Sequence, residues 1–249
     1  MLLFKRIFNF EKAKVEQMEK RLNRRYVPGA GFPLRTSIHN GGQSHPTVLQ
    51  DMSGNGVGVV VSKDIALDPG QMLRLDLELG QHRMELDARL VHLQPHGQGF
   101  YYGLGLKFGE FQAQQAYLQL LQPVVIGQSL QPMPDNRPAQ NETGFWKQIF
   151  VGESDSMLTV TTALANGPAL HSFEFRMSDF FCQGSLKTGQ LETGTQAPNA
   201  ALEAQMSNPV FETSGGLHAE IRQIFRWIMP NLSAAVPANV RGFLQKFAD

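Results

Sequence analysis

Cysteine is almost missing: Cys182 is the only one in 249 residues, which excludes an internal disulfide framework and any thiolate zinc cluster. With no adjacent base in sequence, Cys182 reads as a small core residue. Long apolar runs are missing too, none approaching the roughly 18 residues needed to cross a bilayer. There is no glycine-rich loop ending in Gly-Lys-Ser/Thr and no Gly-x-Ser-x-Gly elbow. Glu153, Asp155 and Glu174 form no acid/base dyad. His92 and His96 stand four apart on a strand end and turn, where that spacing does not put both rings on one helical face, so they read as surface or packing histidines and not metal ligands. We therefore expect no enzyme, no cofactor and no metal. The opening Met1-Leu2-Leu3-Phe4-Lys5-Arg6-Ile7-Phe8 has its basic pair inside the apolar residues, not ahead of them. That is not the order of a signal peptide, and a cytoplasmic location is expected.

What is present fits a soluble globular protein of one large or two small domains, 42% hydrophobic and of zero net charge. The charge is unevenly spread. Residues 1–25 hold eight basic side chains against Glu11, Glu16 and Glu19, so this arm carries +5 and the remainder −5. Such an arm attracts anions. The plain alternative is a solvated helix laced by pairs such as Glu16 and Lys20 at i, i+4.

Along the chain, residues 1–20 read as an amphipathic helix and Pro28, Gly29 and Gly31 as an irregular connector. The period then changes to two. Strands are expected at Phe32–Ile38, Thr47–Gln50, Val57–Val61, Leu73–Leu79, Met84–Leu90 and Phe100–Phe108, separated by turns at Asn40-Gly41-Gly42, Leu67–Gly70, Gly80 and Pro95–Gly99. Short half-buried strands with no helix between them argue an antiparallel barrel, which a helix over Gln112–Val125 would cap. Gly127–Glu142, with three prolines, reads as a linker. Beyond it the chain leans to strand over 144–182, with Met157–Leu164 and Leu170–Met177 the clearest. It then reads as polar and mobile over Gly184–Gly216 and helical from Leu217 to Pro230 and after Pro237. Trp146 and Trp227 read as core anchors.

The chemistry concentrates in two short motifs. Arg21-Leu22-Asn23-Arg24-Arg25 sets two guanidiniums four residues apart at the end of the arm, and Asp51-Met52-Ser53-Gly54-Asn55-Gly56 comes later, at the mouth of an apolar strand. Gly54, Gly56 and Gly58 do not make a dinucleotide fingerprint, because a β-run and not a helix comes after them. For Asp51 and Ser53 the plain alternative is an Asx or Ser turn satisfying its own backbone.

Arm, connector, strand, a strand ending in Asp-x-Ser-x-x-Gly, then more strands and a helix: this order resembles the PilZ domain, a bacterial receptor module for cyclic di-GMP. Gly103-Leu104-Gly105-Leu106-Lys107-Phe108 looks like that family's late strand. The resemblance covers residues 20–125. It implies a six-stranded antiparallel barrel over 20–126 in a mainly β protein, preceded by a helical arm over 1–19 and succeeded by a linker over 127–142 and an α+β region over 143–249. It implies cyclic di-GMP as ligand, with Arg21 and Arg25 on the phosphates, Asp51 on the guanine edge, Ser53 adding a hydroxyl and Gly56 allowing close approach. Lys20, just before the arginine motif, would favour two intercalated ligand molecules over one, and Arg24 is a further contact. The expected output is a signal: the arm closes over the barrel and changes contacts with a protein partner or with the C-terminal region. The alternatives are a nucleic-acid-binding barrel with a basic arm, disfavoured because the strands offer no exposed aromatic pair besides Tyr101/Tyr102, and a ligand-free adaptor of the same fold.

Overall fold

In a computed structural model, residues 24–61, 67–133, 144–164, 169–195 and 214–248 are described. The arm helix over 1–20, Lys20 and Arg21 lie outside them. The chain divides into two compact units, Met1–Val124 and Val125–Asp249.

The first unit is built on β1 (Leu34–Asn40), β2 (Gln43–Ser53), β3 (Gly56–Val61), β4 (Met72–Leu79), β5 (His82–His96) and β6 (Gly99–Lys107). They close into an antiparallel barrel in the order β1-β2-β3-β6-β5-β4. Alternation decides which side faces in: Leu73, Leu75, Leu77 and Leu79 of β4 are buried while Arg74 and Glu78 are exposed. The turn after Asn40 uses Gly41 and Gly42 at φ +57° and +82°, the left-handed pair that matches strand twist in a two-residue hairpin. All six strands fall where the period-two pattern places them, with β2 and β5 longer than expected. The predicted turn at Pro95–Gly99 shrinks to Gly97-Gln98, because Pro95 and His96 still pair with Phe100 and Gly99.

The polar member of β4 does not all face water. Asp76 is buried, with Oδ2 lying 2.9 Å from His39 Nε2 and accepting from Arg83 at 2.6 Å. Burial opposes its charge, but those two partners outweigh the burial and hold the Asp76 carboxyl below the usual carboxylate range.

Helix α1 (Phe111–Ser129) comes after the barrel. It runs four residues beyond the predicted end, and Gln131–Pro132 then forms β7, so the start of the predicted linker is helix and strand; residues 134–143 lie outside the described ones. Gly127 is therefore not a break. Its missing side chain instead admits the backbone of Asn231, which an added β-carbon would meet at 2.7 Å.

The second unit is an antiparallel sheet of β7, β8 (Phe145–Gly152), β9 (Ser156–Ala163), β10 (Ala169–Met177), β11 (Phe180–Ser185) and β12 (Leu191–Thr195), in the order β12-β11-β10-β9-β8-β7. The expected mobile stretch from Gly184 is therefore sheet as far as Thr195, while 196–213 lie outside the described residues. Helices α2 (Ser214–Ile228) and α3 (Ala238–Ala248) pack on one face, where Phe173 stacks on Phe225 and meets Phe243 and Phe247 edge-on. Cys182 and Trp227 are buried, as expected of core residues.

Candidate functional site

Two bulges aim side chains at one patch on the outside of the barrel. Between β2 and β3 the register slips between Leu49 and Asp51, and between β5 and β6 it slips between Leu90 and His92. An extra residue bends a strand and re-aims the side chains beyond it. The result is one cross-barrel row in which Asp51 pairs with Gly58, Gly58 with Gly103 and Gly103 with His92. Gly56 pairs with Gly105 in the next row. Four positions on β3 and β6 thus carry no side chain, leaving bare backbone between Asp51 and His92.

Tyr101 lies across that bare strip. A β-carbon at Gly58 would stand 2.4 Å from Tyr101 Oη and 2.6 Å from Asp51 Oδ2, so only glycine admits the pair. The phenol donates to Asp51 Oδ2 at 2.9 Å. Arg25 Nη1 donates to Asp51 Oδ1 at 2.5 Å and to Tyr101 Oη at 2.9 Å, closing a three-membered network. Arg25 is held there by its neighbour: Tyr26, 1% exposed, exchanges backbone hydrogen bonds with Met52 at 2.7 and 2.8 Å. Partial burial works against the Arg25 charge, yet Asp51 and Tyr101 raise its pKa on balance. Burial first, then Asp51, pushes the Tyr101 phenol up, so it stays a donor at neutral pH. Arg25, Val27, Gln50, Asp51, His92, Gln94, His96 and Tyr101 line an open cavity of about 520 Å³, within the range of small-molecule sites.

Beneath the network the Asp-x-Ser-x-x-Gly turn is tied to the fold. Ser53 is 5% exposed, and its hydroxyl donates to Asn55 Oδ1 at 3.2 Å and to the Gly56 carbonyl at 3.4 Å. Tyr117 of α1 donates to the carbonyls of Ser53 and Gly56 at 2.7 and 3.2 Å. A β-carbon on Gly56 would meet the Leu104 carbonyl at 3.0 Å.

Residues 19–125 match the PilZ domain family.

The remainder of the chain is not assigned to a family, and no curated protein matches the chain. Among solved structures, the chain is similar to the PilZ domain of YcgR from Escherichia coli, with c-di-GMP, at 13% identity and TM-score 0.33, over 40% of this chain and 92% of that one. It is similar to the Bacillus subtilis inhibitor of motility MotI/DgrA at 23% identity and TM-score 0.32, over 39% and 48%. The PlzA protein of Borreliella burgdorferi, in complex with c-di-GMP, aligns at 10% identity and TM-score 0.35, over 70% and 86%.

Within the matched residues, Arg25 and Asp51 come together, and Ser53 and Gly56 sit behind them in the turn. Arg24 is exposed and lies over the Tyr26 ring at 5.6 Å, not in the network. Lys20 and Arg21 are outside the described residues. Tyr101, His92 and Gly58 were not among the expected site residues. The signal available for the glycine was the matching Gly-x-Gly pattern of β3 and β6. Tyr102, the partner that nucleic-acid stacking would need beside Tyr101, is buried in the barrel.

Proposed function

We propose that this protein is a cyclic di-GMP receptor in which Arg21 and Arg25 take the phosphates and Asp51 reads guanine. The observation that carries the reading is the Arg25–Asp51 ion pair, which joins two motifs 26 residues apart at one cavity. The ligand has two phosphates and two guanines. Arginine meets phosphate with planar, charge-assisted, bidentate bonds that lysine cannot match, and its guanidinium also stacks on a purine face. A carboxylate accepts from the ring and exocyclic N–H groups of guanine together. The PilZ match of residues 19–125 supports the ligand class.

Ser53 and Gly56 serve by shaping the turn that presents Asp51, since the hydroxyl is spent on that turn. Lys20 and Arg24 lend positive charge beside the phosphates, and Lys20 favours a second ligand molecule. The arm over 1–19 closes when phosphate binds. Because Tyr26 is buried and paired with Met52, that motion belongs to residues ahead of Arg25 and not to Arg25 itself. Signal then passes to a protein partner or to the region 143–249. The protein works in the cytoplasm and without catalysis.

Calorimetry with cyclic di-GMP tests this. Each charge-assisted contact contributes about 1.5–3 kcal/mol, so Arg25→Ala and Arg21→Ala should each bind roughly tenfold or more weakly than wild type. Equal affinity in all three would move the site elsewhere.

A further inference from the structure

Asp51 and Tyr101 stand on strands that are not neighbours: β3 runs between β2 and β6, so roughly 10 Å separates their two backbones. Strand side chains ordinarily stand away from the sheet, and a phenol that did so would not reach across. The 2.9 Å bond from Tyr101 Oη to Asp51 Oδ2 therefore lays the Tyr101 side chain along the barrel surface, over β3. Gly58 is the β3 residue beneath the hydroxyl, and it has no side chain to lift the phenol away. Among the described residues that line the cavity, Tyr101 carries the only six-membered ring, and that residue is half-buried where Tyr102 is packed wholly inside the barrel. Arg25 and Asp51 offer charge and hydrogen bonds, which suit phosphates and base edges. With Arg25 on a phosphate, the flat face of a purine still needs a surface against which to leave water.

We propose that the ring of Tyr101 is the floor on which one guanine of cyclic di-GMP stacks. The inference rests on the receptor reading above and extends it to a residue outside both motifs. By bonding Asp51 and Arg25, the hydroxyl keeps the ring laid along the sheet beside the charged pair, so the floor adjoins the groups that take the rest of the ligand. His92, at the other end of the bare row, stands with its ring centroid 6.3 Å from that of Tyr101 and bounds the floor on the β5 side. Stacking on an aromatic side chain is tolerant of which base is stacked, because every base has a π-face. Tyr101 thus adds affinity and leaves the choice of ligand to the charged groups.

The experiment is calorimetry and proton NMR with cyclic di-GMP on the full chain, comparing wild type, Tyr101→Phe and Tyr101→Leu, with melting temperatures recorded for each. Tyr101→Phe keeps the ring and loses the hydroxyl, whereas Tyr101→Leu keeps only apolar bulk. Tyr101→Leu should bind about tenfold more weakly than Tyr101→Phe, the worth of one base stacked on an aromatic ring. The single carbon-bound proton of a stacked guanine lies over the phenol and should shift upfield on binding to wild type and to Tyr101→Phe, but not on binding to Tyr101→Leu. A merely structural role for the ring would lower the melting temperature without that selective loss. The inference is overturned if the Phe and Leu variants bind within twofold of each other, or if no guanine proton moves upfield on wild type, a result that decides even where Tyr101→Leu fails to fold. Wild type that binds no cyclic di-GMP removes the receptor reading and this inference with it. Weakening by Arg25→Ala, with Tyr101→Leu binding as well as Tyr101→Phe, removes this inference alone.

Discussion

Two aspartates on the outside of the barrel are paired with arginine, and their surroundings give them different work. Asp51 faces an exposed arginine, and an ion pair of that kind stabilises a fold by no more than about 1 kcal/mol. Arg25→Ala should therefore leave the urea midpoint of unfolding nearly where it was while binding falls, and a large drop in midpoint would mean that the pair is structural. Asp76 is buried between His39 and Arg83. Its folded pKa lies below the unfolded value, so its stabilising contribution is present above about pH 3.9 and is lost as pH falls through the folded value. Asp76→Asn should be less stable than wild type in urea melts at pH 7, and the gap should close towards pH 3. At this scale the sequence revealed Arg25 and Asp51, because the order of two motifs along the chain marked them. It could not reveal Tyr101, which lies 50 residues beyond Asp51 and reaches it only through strand pairing and a bulge.

The strands divide in the same way. β4 is plain because Leu73, Leu75, Leu77 and Leu79 alternate with charge. β8 is hidden because Trp146 and Ile149-Phe150-Val151 break the alternation, and β12, Leu-Glu-Thr-Gly-Thr, has too few apolar residues to register a period. Bulges leave no trace in composition, so the row from Asp51 to His92 emerges only with the register. Gly58→Ala tests that row. The added carbon would meet the ends of the Tyr101 and Asp51 side chains and push them apart, so the barrel should still melt cooperatively while cyclic di-GMP affinity falls about tenfold through loss of the network. Unchanged affinity in calorimetry would mean that the glycine strip is incidental. On α1, Tyr117→Phe would leave the Ser53 carbonyl short of its buried donor, and we expect a loss of about 1–2 kcal/mol in chemical denaturation.

For the whole molecule, coupling must be reciprocal. If ligand on the barrel alters the C-terminal region, removing that region must alter affinity by the same free energy. The barrel closes around its own core, so a fragment ending after α1 at Ser129 can be compared with the full chain by calorimetry. A relay predicts different affinities, and identical ones would confine the signal to the arm. The two units also differ in what their backbones leave unpaired. A ring of strands has no first or last member, so the barrel offers main-chain pairing only where a strand outruns its neighbour, as β2 does at Met52, a place that Tyr26 already takes. Among the described residues the second sheet does end, at β12 on one side and β7 on the other. An extended peptide seeking a whole row of main-chain partners would find one there.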